Sequence, residues 1–156
     1  MAFNKDQFRS LVYRTLEKIG LHSMSAENLL LGTAAQESGF GTYFRQIGCG
    51  PARGVFQMEL ATEKDIWENF LCFKDKELRN KIFIITGITE PDPLALEGNL
   101  IYQIAMCRVH YLRVREALPN WADIEGMARY WKQYYNTFAG KGTEEEFINN
   151  YRRYLG

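Results

Sequence analysis

AAQESGFGTYFRQIGCGPARGVFQME, residues 34–59, decides how the rest of this chain is read. An apolar run, Leu29-Leu30-Leu31 and then Ala34-Ala35, ends on an acid, Glu37. Ser38-Gly39-Phe40 breaks the helix, and a glycine-rich loop follows. A compact apolar phrase then holds one glutamine, Gly54-Val55-Phe56-Gln57-Met58. A glutamate at the C-terminal end of an apolar helix is desolvated and faces the negative pole of the helix dipole, and both effects raise its pKa. A carboxyl group titrating at roughly pH 6 to 7 can protonate a leaving oxygen and later accept a proton. The alternative for Glu37 taken alone is a solvent-facing charge at a helix end.

Outward from this stretch the periodicity is mostly helical. Phe8, Leu11, Val12, Leu16 and Ile19 mark one face of a first helix, stopped by Gly20. Ser25 can cap a second helix running to about Glu37. Thr62, with Asp65 three residues on, can open a third through Ile66, Trp67, Phe70 and Leu71. Residues 75–85 mix helix formers, Lys76-Glu77-Leu78-Arg79, with strand formers, Ile82-Phe83-Ile84-Ile85-Thr86, and read as helix. Asp92 and Pro93 start the clearest element, whose stripe runs through Leu100, Ile104, Val109 and Leu112 until Pro119 closes it. Asn120 can cap the next helix, and Thr143-Glu144-Glu145-Glu146 is a capping box for the last. The expectation is a mainly α single domain over residues 1–156, with six or seven helices and a small β element near 40–60.

At 156 residues the chain is long enough to bury a real core, and 46% apolar with 24% charged is ordinary for a soluble globular protein. Nineteen basic against nineteen acidic residues leave no basic excess, which argues against a nucleic-acid partner. The pairs Arg113/Arg115 and Arg152/Arg153 read as solvated helix faces. Nine Tyr and ten Phe exceed what a core needs and suggest a surface that stacks on something flat. The three cysteines form no CxxC pair, so no disulfide framework is expected. The opening MAFNKDQFRS has no apolar signal core, and no run approaches a membrane span.

Metal chemistry has no spacing to support it: His22 and His110 are far apart, and no HExxH or EF-hand pattern occurs. His110 reads as a satisfied core residue. Gly140-Lys141-Gly142-Thr143 faintly suggests a phosphate loop, but a helix-opening turn explains it.

Glu37-Ser38-Gly39-Phe40, then Gly54-Val55-Phe56-Gln57, then Thr62, resemble the lytic transglycosylase, goose-type lysozyme-like branch of the lysozyme-like superfamily. That family carries a Glu-Ser-x-aromatic step, then Gly-x-x-Gly-Leu-Met-Gln and a threonine. The resemblance covers residues 26–70 well and is weaker later, where Ala128-Arg129-Tyr130 and Tyr135-Asn136 look like blurred forms of the family's Ala-x-x-Tyr-Asn step. "GVFQMELAT…DIW" with "YYNT" is similar to the version in bacteriophage cell-wall-degrading proteins.

The resemblance implies a lysozyme-like fold and cleavage of the β-1,4 bond between N-acetylmuramic acid and N-acetylglucosamine, without metal or other cofactor. Glu37 is then the catalytic acid/base. Ser38, Gly54, Phe56, Gln57, Tyr130 and Asn136 belong to the glycan site. Gly54 lets the backbone approach the saccharide or is a turn glycine. Gln57 touches sugar or braces a loop, and Tyr130 points at Glu37 or fills the core. Tyr43, Phe44, Trp67 and Trp131 stack on sugars or, for both Trp residues, pack inside.

Two departures from the family stand out. Gly48 replaces a serine, and Glu59 replaces an apolar residue. Glu59, or Asp65, is a candidate second carboxylate that activates water; Glu59 equally suits a helix N-terminus. The implied partners are peptidoglycan strands and, for a phage protein, other virion proteins. Synthesis in the host cytoplasm without a signal peptide, then holin release or virion delivery to the cell wall, completes that expectation. A virion or assembly protein that binds glycan without cleaving it is the alternative.

Overall fold

The computed structural model describes residues 1–136 and 140–156. Its centre is α2, Met24–Ser38, in which eleven of fifteen residues are buried. A helix apolar on every side has to be wrapped by others. Here α1 (Lys5–Lys18), α6 (Leu100–Leu112), α7 (Ile124–Trp131) and α8 (Glu144–Leu155) pack on it. The approach of α8 is closest at Gly32, where a Cβ would stand 2.6 Å from the Phe147 ring. One continuous apolar core results, running from Phe8 and Leu16 through Leu29–Leu31 to Trp67, Tyr111 and Trp131.

The mainly α class is as expected, and the helix count is eight among the described residues rather than six or seven. The extra helix comes from a break at Asn99. Its backbone is extended, and its side chain accepts from the Tyr102 N–H at 3.1 Å, so the chain stops at α5, Pro93–Gly98, and restarts as α6. Caps also differ in detail. Ser23, not Ser25, caps α2, accepting from the Ala26 N–H at 3.0 Å. Asp123, not Asn120, caps α7. The α6 helix ends at Leu112, well before Pro119. Residues Lys76–Thr86 form a helix, α4, as expected, and Thr143 caps α8.

The β element is a two-stranded antiparallel ribbon, β1 (Ala52–Arg53) with β2 (Met58–Glu59), pairing Ala52 with Glu59 and Arg53 with Met58. It leads directly into α3, Leu60–Ile66. Two wider π-helical turns, Trp67–Leu71 and Lys132–Asn136, extend α3 and α7. A π turn rotates the residues beyond it relative to an α-helical repeat, and such turns often occur at functional sites. The second brings Tyr135 and Asn136 to the cavity that Glu37 lines.

Candidate functional site

The end of α2 is built to hold one carboxyl group still. Gly39 adopts the left-handed conformation that stops the helix. Phe40 is also left-handed, at φ 55°, and its ring is wholly buried, edge-on to Phe8 and stacked on Tyr154. Aromatic burial offsets that backbone strain. Ser38 is buried as well: its hydroxyl donates to the Ala34 carbonyl and accepts from the Gly41 N–H at 2.9 Å. Ser38 therefore locks the helix end and is not presented to a ligand, which corrects its expected contact with glycan.

Glu37 is mostly buried, with one edge on a cavity of about 760 Å³. Its Oε2 accepts from the Trp131 indole N–H at 2.9 Å, and its backbone carbonyl accepts from the Tyr43 hydroxyl at 2.8 Å. Loss of water around the carboxylate pushes its pKa up to about 7, against the Trp131 hydrogen bond, which favours the charged form. The cavity lies in the size range of small-ligand sites. Gln57, Glu59, Tyr135, Asn136 and Tyr43 share it with Glu37.

The hairpin wall is closed tightly. Gln57 is left-handed at φ 47°, and both its backbone N–H and its side-chain amide donate to the Gly54 carbonyl. It thus braces the turn and lines the cavity at once. Gly54 has φ 82°, and a Cβ there would stand 2.3 Å from the Leu96 carbonyl and 2.4 Å from Gln103 Oε1. Its glycine serves packing against α5 and α6, not close approach by a saccharide. Phe56 is buried beside Phe8, and its carbonyl accepts from the Tyr135 hydroxyl at 2.6 Å. It supports the wall from behind.

On the opposite side, Lys132 donates to Asn136 Oδ1 and to the Gly140 and Gly142 carbonyls, which anchors that wall. Gly140, Lys141 and Gly142 line the cavity, although the sequence explained them as a turn. Tyr130, expected to face Glu37, instead donates its hydroxyl to the Glu116 carbonyl and is absent from the cavity lining. Tyr135, in the π turn beyond it, lines the cavity instead. Trp67 is buried and donates to the Tyr102 hydroxyl, and Asp65 is engaged by Arg113 and Asn69 away from the cavity. His110 lines the cavity with Nε2 donating to the Tyr134 carbonyl, and burial pushes its pKa down, so it is neutral.

The Trp131 contact with Glu37 is the main feature that sequence reasoning missed, since helical spacing shows only that Trp131 is buried. Among the described residues no group of three His, Cys, Asp or Glu side chains is gathered closely enough to hold a cation. No helix of the described residues is long and apolar enough to cross a membrane. No family model, curated protein or solved structure matches the chain.

Proposed function

We propose that this protein cleaves the β-1,4 bond between N-acetylmuramic acid and N-acetylglucosamine in peptidoglycan, with Glu37 as general acid and then base. One observation carries the reading: a carboxyl group with a pKa of about 7 on the wall of a polar, open cavity. Such a group is protonated often enough near neutrality to give a proton, and basic enough afterwards to take one back. Trp131 occupies Oε2, so the acid proton resides on Oε1.

In the proposed reaction Glu37 protonates the bridging oxygen as its bond to the muramic C1 breaks. The Glu37 carboxylate then removes a proton from the muramic C6 hydroxyl, which closes on C1 to give a 1,6-anhydro product, or from a water that attacks C1. Glu59, in the same cavity, is the candidate for aligning that water. The Gln57 and Asn136 amides suit the N-acetyl and hydroxyl groups of the sugars. No cofactor takes part in this chemistry.

Digestion of purified peptidoglycan, followed by mass spectrometry of the released fragments, tests the proposal. Wild-type protein should release muropeptides and Glu37→Gln should not. An anhydro product, lighter by one water, assigns the lytic route, and a reducing end assigns hydrolysis. Retention on peptidoglycan without any release would refute cleavage and favour a glycan-binding virion component.

A further inference from the structure

Independently of the glycan site, α1 and α4 both pack on α6 and leave a trough of about 490 Å³ between them. Leu11, Ile84, Ile85 and Ile101 give it aliphatic walls. Every charged residue lining it is a cation: Arg14, Lys18 and Lys81. Arg14 and Lys18 have no ion-pair partner among the described residues, and Lys81 has only exposed Glu77 at 3.7 Å. Lys81 reaches to Gly20 at the end of α1, two residues beyond Lys18.

The α4 helix explains the apolar rim. Its sequence Ile82-Phe83-Ile84-Ile85 is apolar through a full turn, yet the core takes up only the side of Leu78 and Ile82. Ile84 is 78% exposed and Phe83 48%. Aliphatic and aromatic side chains beside unpaired Lys and Arg are the composition of a surface lying in the interface of an anionic bilayer, where stems and rings enter the acyl boundary and cations meet headgroups.

From this we infer that the α1–α4 trough docks on anionic phospholipid at a bilayer surface. A second copy presenting the same face would set cations against cations.

Co-sedimentation of the full chain with vesicles tests the docking. Wild-type protein should pellet with vesicles of equal parts phosphatidylglycerol and phosphatidylcholine, release at high salt, and stay in solution with phosphatidylcholine alone. Lys18→Glu/Lys81→Glu should lower the bound fraction about tenfold, and Ile84→Ser should lower it several-fold. Both variants alter exposed or half-exposed positions, and matching wild-type circular dichroism confirms that they fold. Arg152→Glu/Arg153→Glu, a basic pair elsewhere, should bind as wild type. Equal pelleting with both vesicle types, no pelleting, or loss only in the Arg152/Arg153 variant would overturn the proposal. So would lipid-free self-association abolished by the Lys18/Lys81 variant, which would give the surface to a second copy.

Discussion

Glu37 and Glu63 are both glutamates held by an aromatic donor, one at the edge of a cavity and the other inside the core. Glu63 is 1% exposed, and its Oε2 accepts from the Tyr102 hydroxyl and, at 2.9 Å, from the Asp92 N–H. Tyr102 in turn accepts from Trp67 at 2.9 Å. That network ties α3 to the start of α5 and to α6, and none of its members lines the cavity at Glu37. Among the described residues Glu37 has a single donor on one oxygen, and its carboxyl edge meets the cavity. Burial raises both carboxyl groups, so a raised pKa does not separate structure from chemistry. What separates them is whether solvent and a ligand can reach the oxygen that carries the proton.

The sharpest way to break this contrast is to exchange the carboxyls for amides. Glu37→Gln should lower muropeptide release by about a thousandfold, within the range of acid–base catalysis, whereas Glu63→Gln should retain release per folded molecule. Equal losses in the two variants would erase the distinction.

Stability should rank them the other way. Glu63→Ala strands the buried Tyr102 hydroxyl and Asp92 N–H and should cost about 3 kcal/mol in urea unfolding. Glu37→Gln should stabilise the protein in alkaline solution. The folded pKa of about 7 lies above the ordinary 4.5, so the native state holds more protons than the unfolded state between those values. Stability from Glu37 is therefore fully present below about pH 4.5 and lost as pH rises through about 7. Relative to wild type, Glu37→Gln should gain about 3 kcal/mol at pH 8 and almost nothing at pH 4, measured by thermal melts.

The smallest effect expected is in Trp131→Phe. Removing the indole N–H takes away a hydrogen bond that favours the carboxylate, so the Glu37 pKa should rise by about one unit. The alkaline limb of the cleavage profile should move up with it. An unmoved limb would mean that the Trp131 contact does not tune Glu37.

The sequence was informative where local chemistry sets the structure. Glu37 and Gln57 flank a helix stop and a glycine turn, and both line the cavity. Asn136 was legible through the Tyr135-Asn136 pair. Ser38, Gly54 and Phe56 were misjudged because adjacency in a motif does not say which way a side chain faces. Ser38 turns into the helix end, Phe56 into the core, and Gly54 against Leu96 and Gln103. Tyr130 was placed by its likeness to the family's Ala-x-x-Tyr-Asn step, which does not say which way the side chain faces; it turns to the Glu116 carbonyl, and it is Tyr135, in the π turn beyond it, that lines the cavity. The Glu37–Trp131 contact joins residues 94 apart, and no pattern of one helix reveals its partner on another.

Carbon-13 NMR titration of the Glu37 side-chain carboxyl, assigned by its absence in Glu37→Gln, reads the proton on that group directly. The expected midpoint is about 7, with the Trp131 indole N–H shift moving over the same range. A midpoint near 4.5, with an indole signal that does not respond, would contradict a glutamate kept neutral at the edge of the cavity.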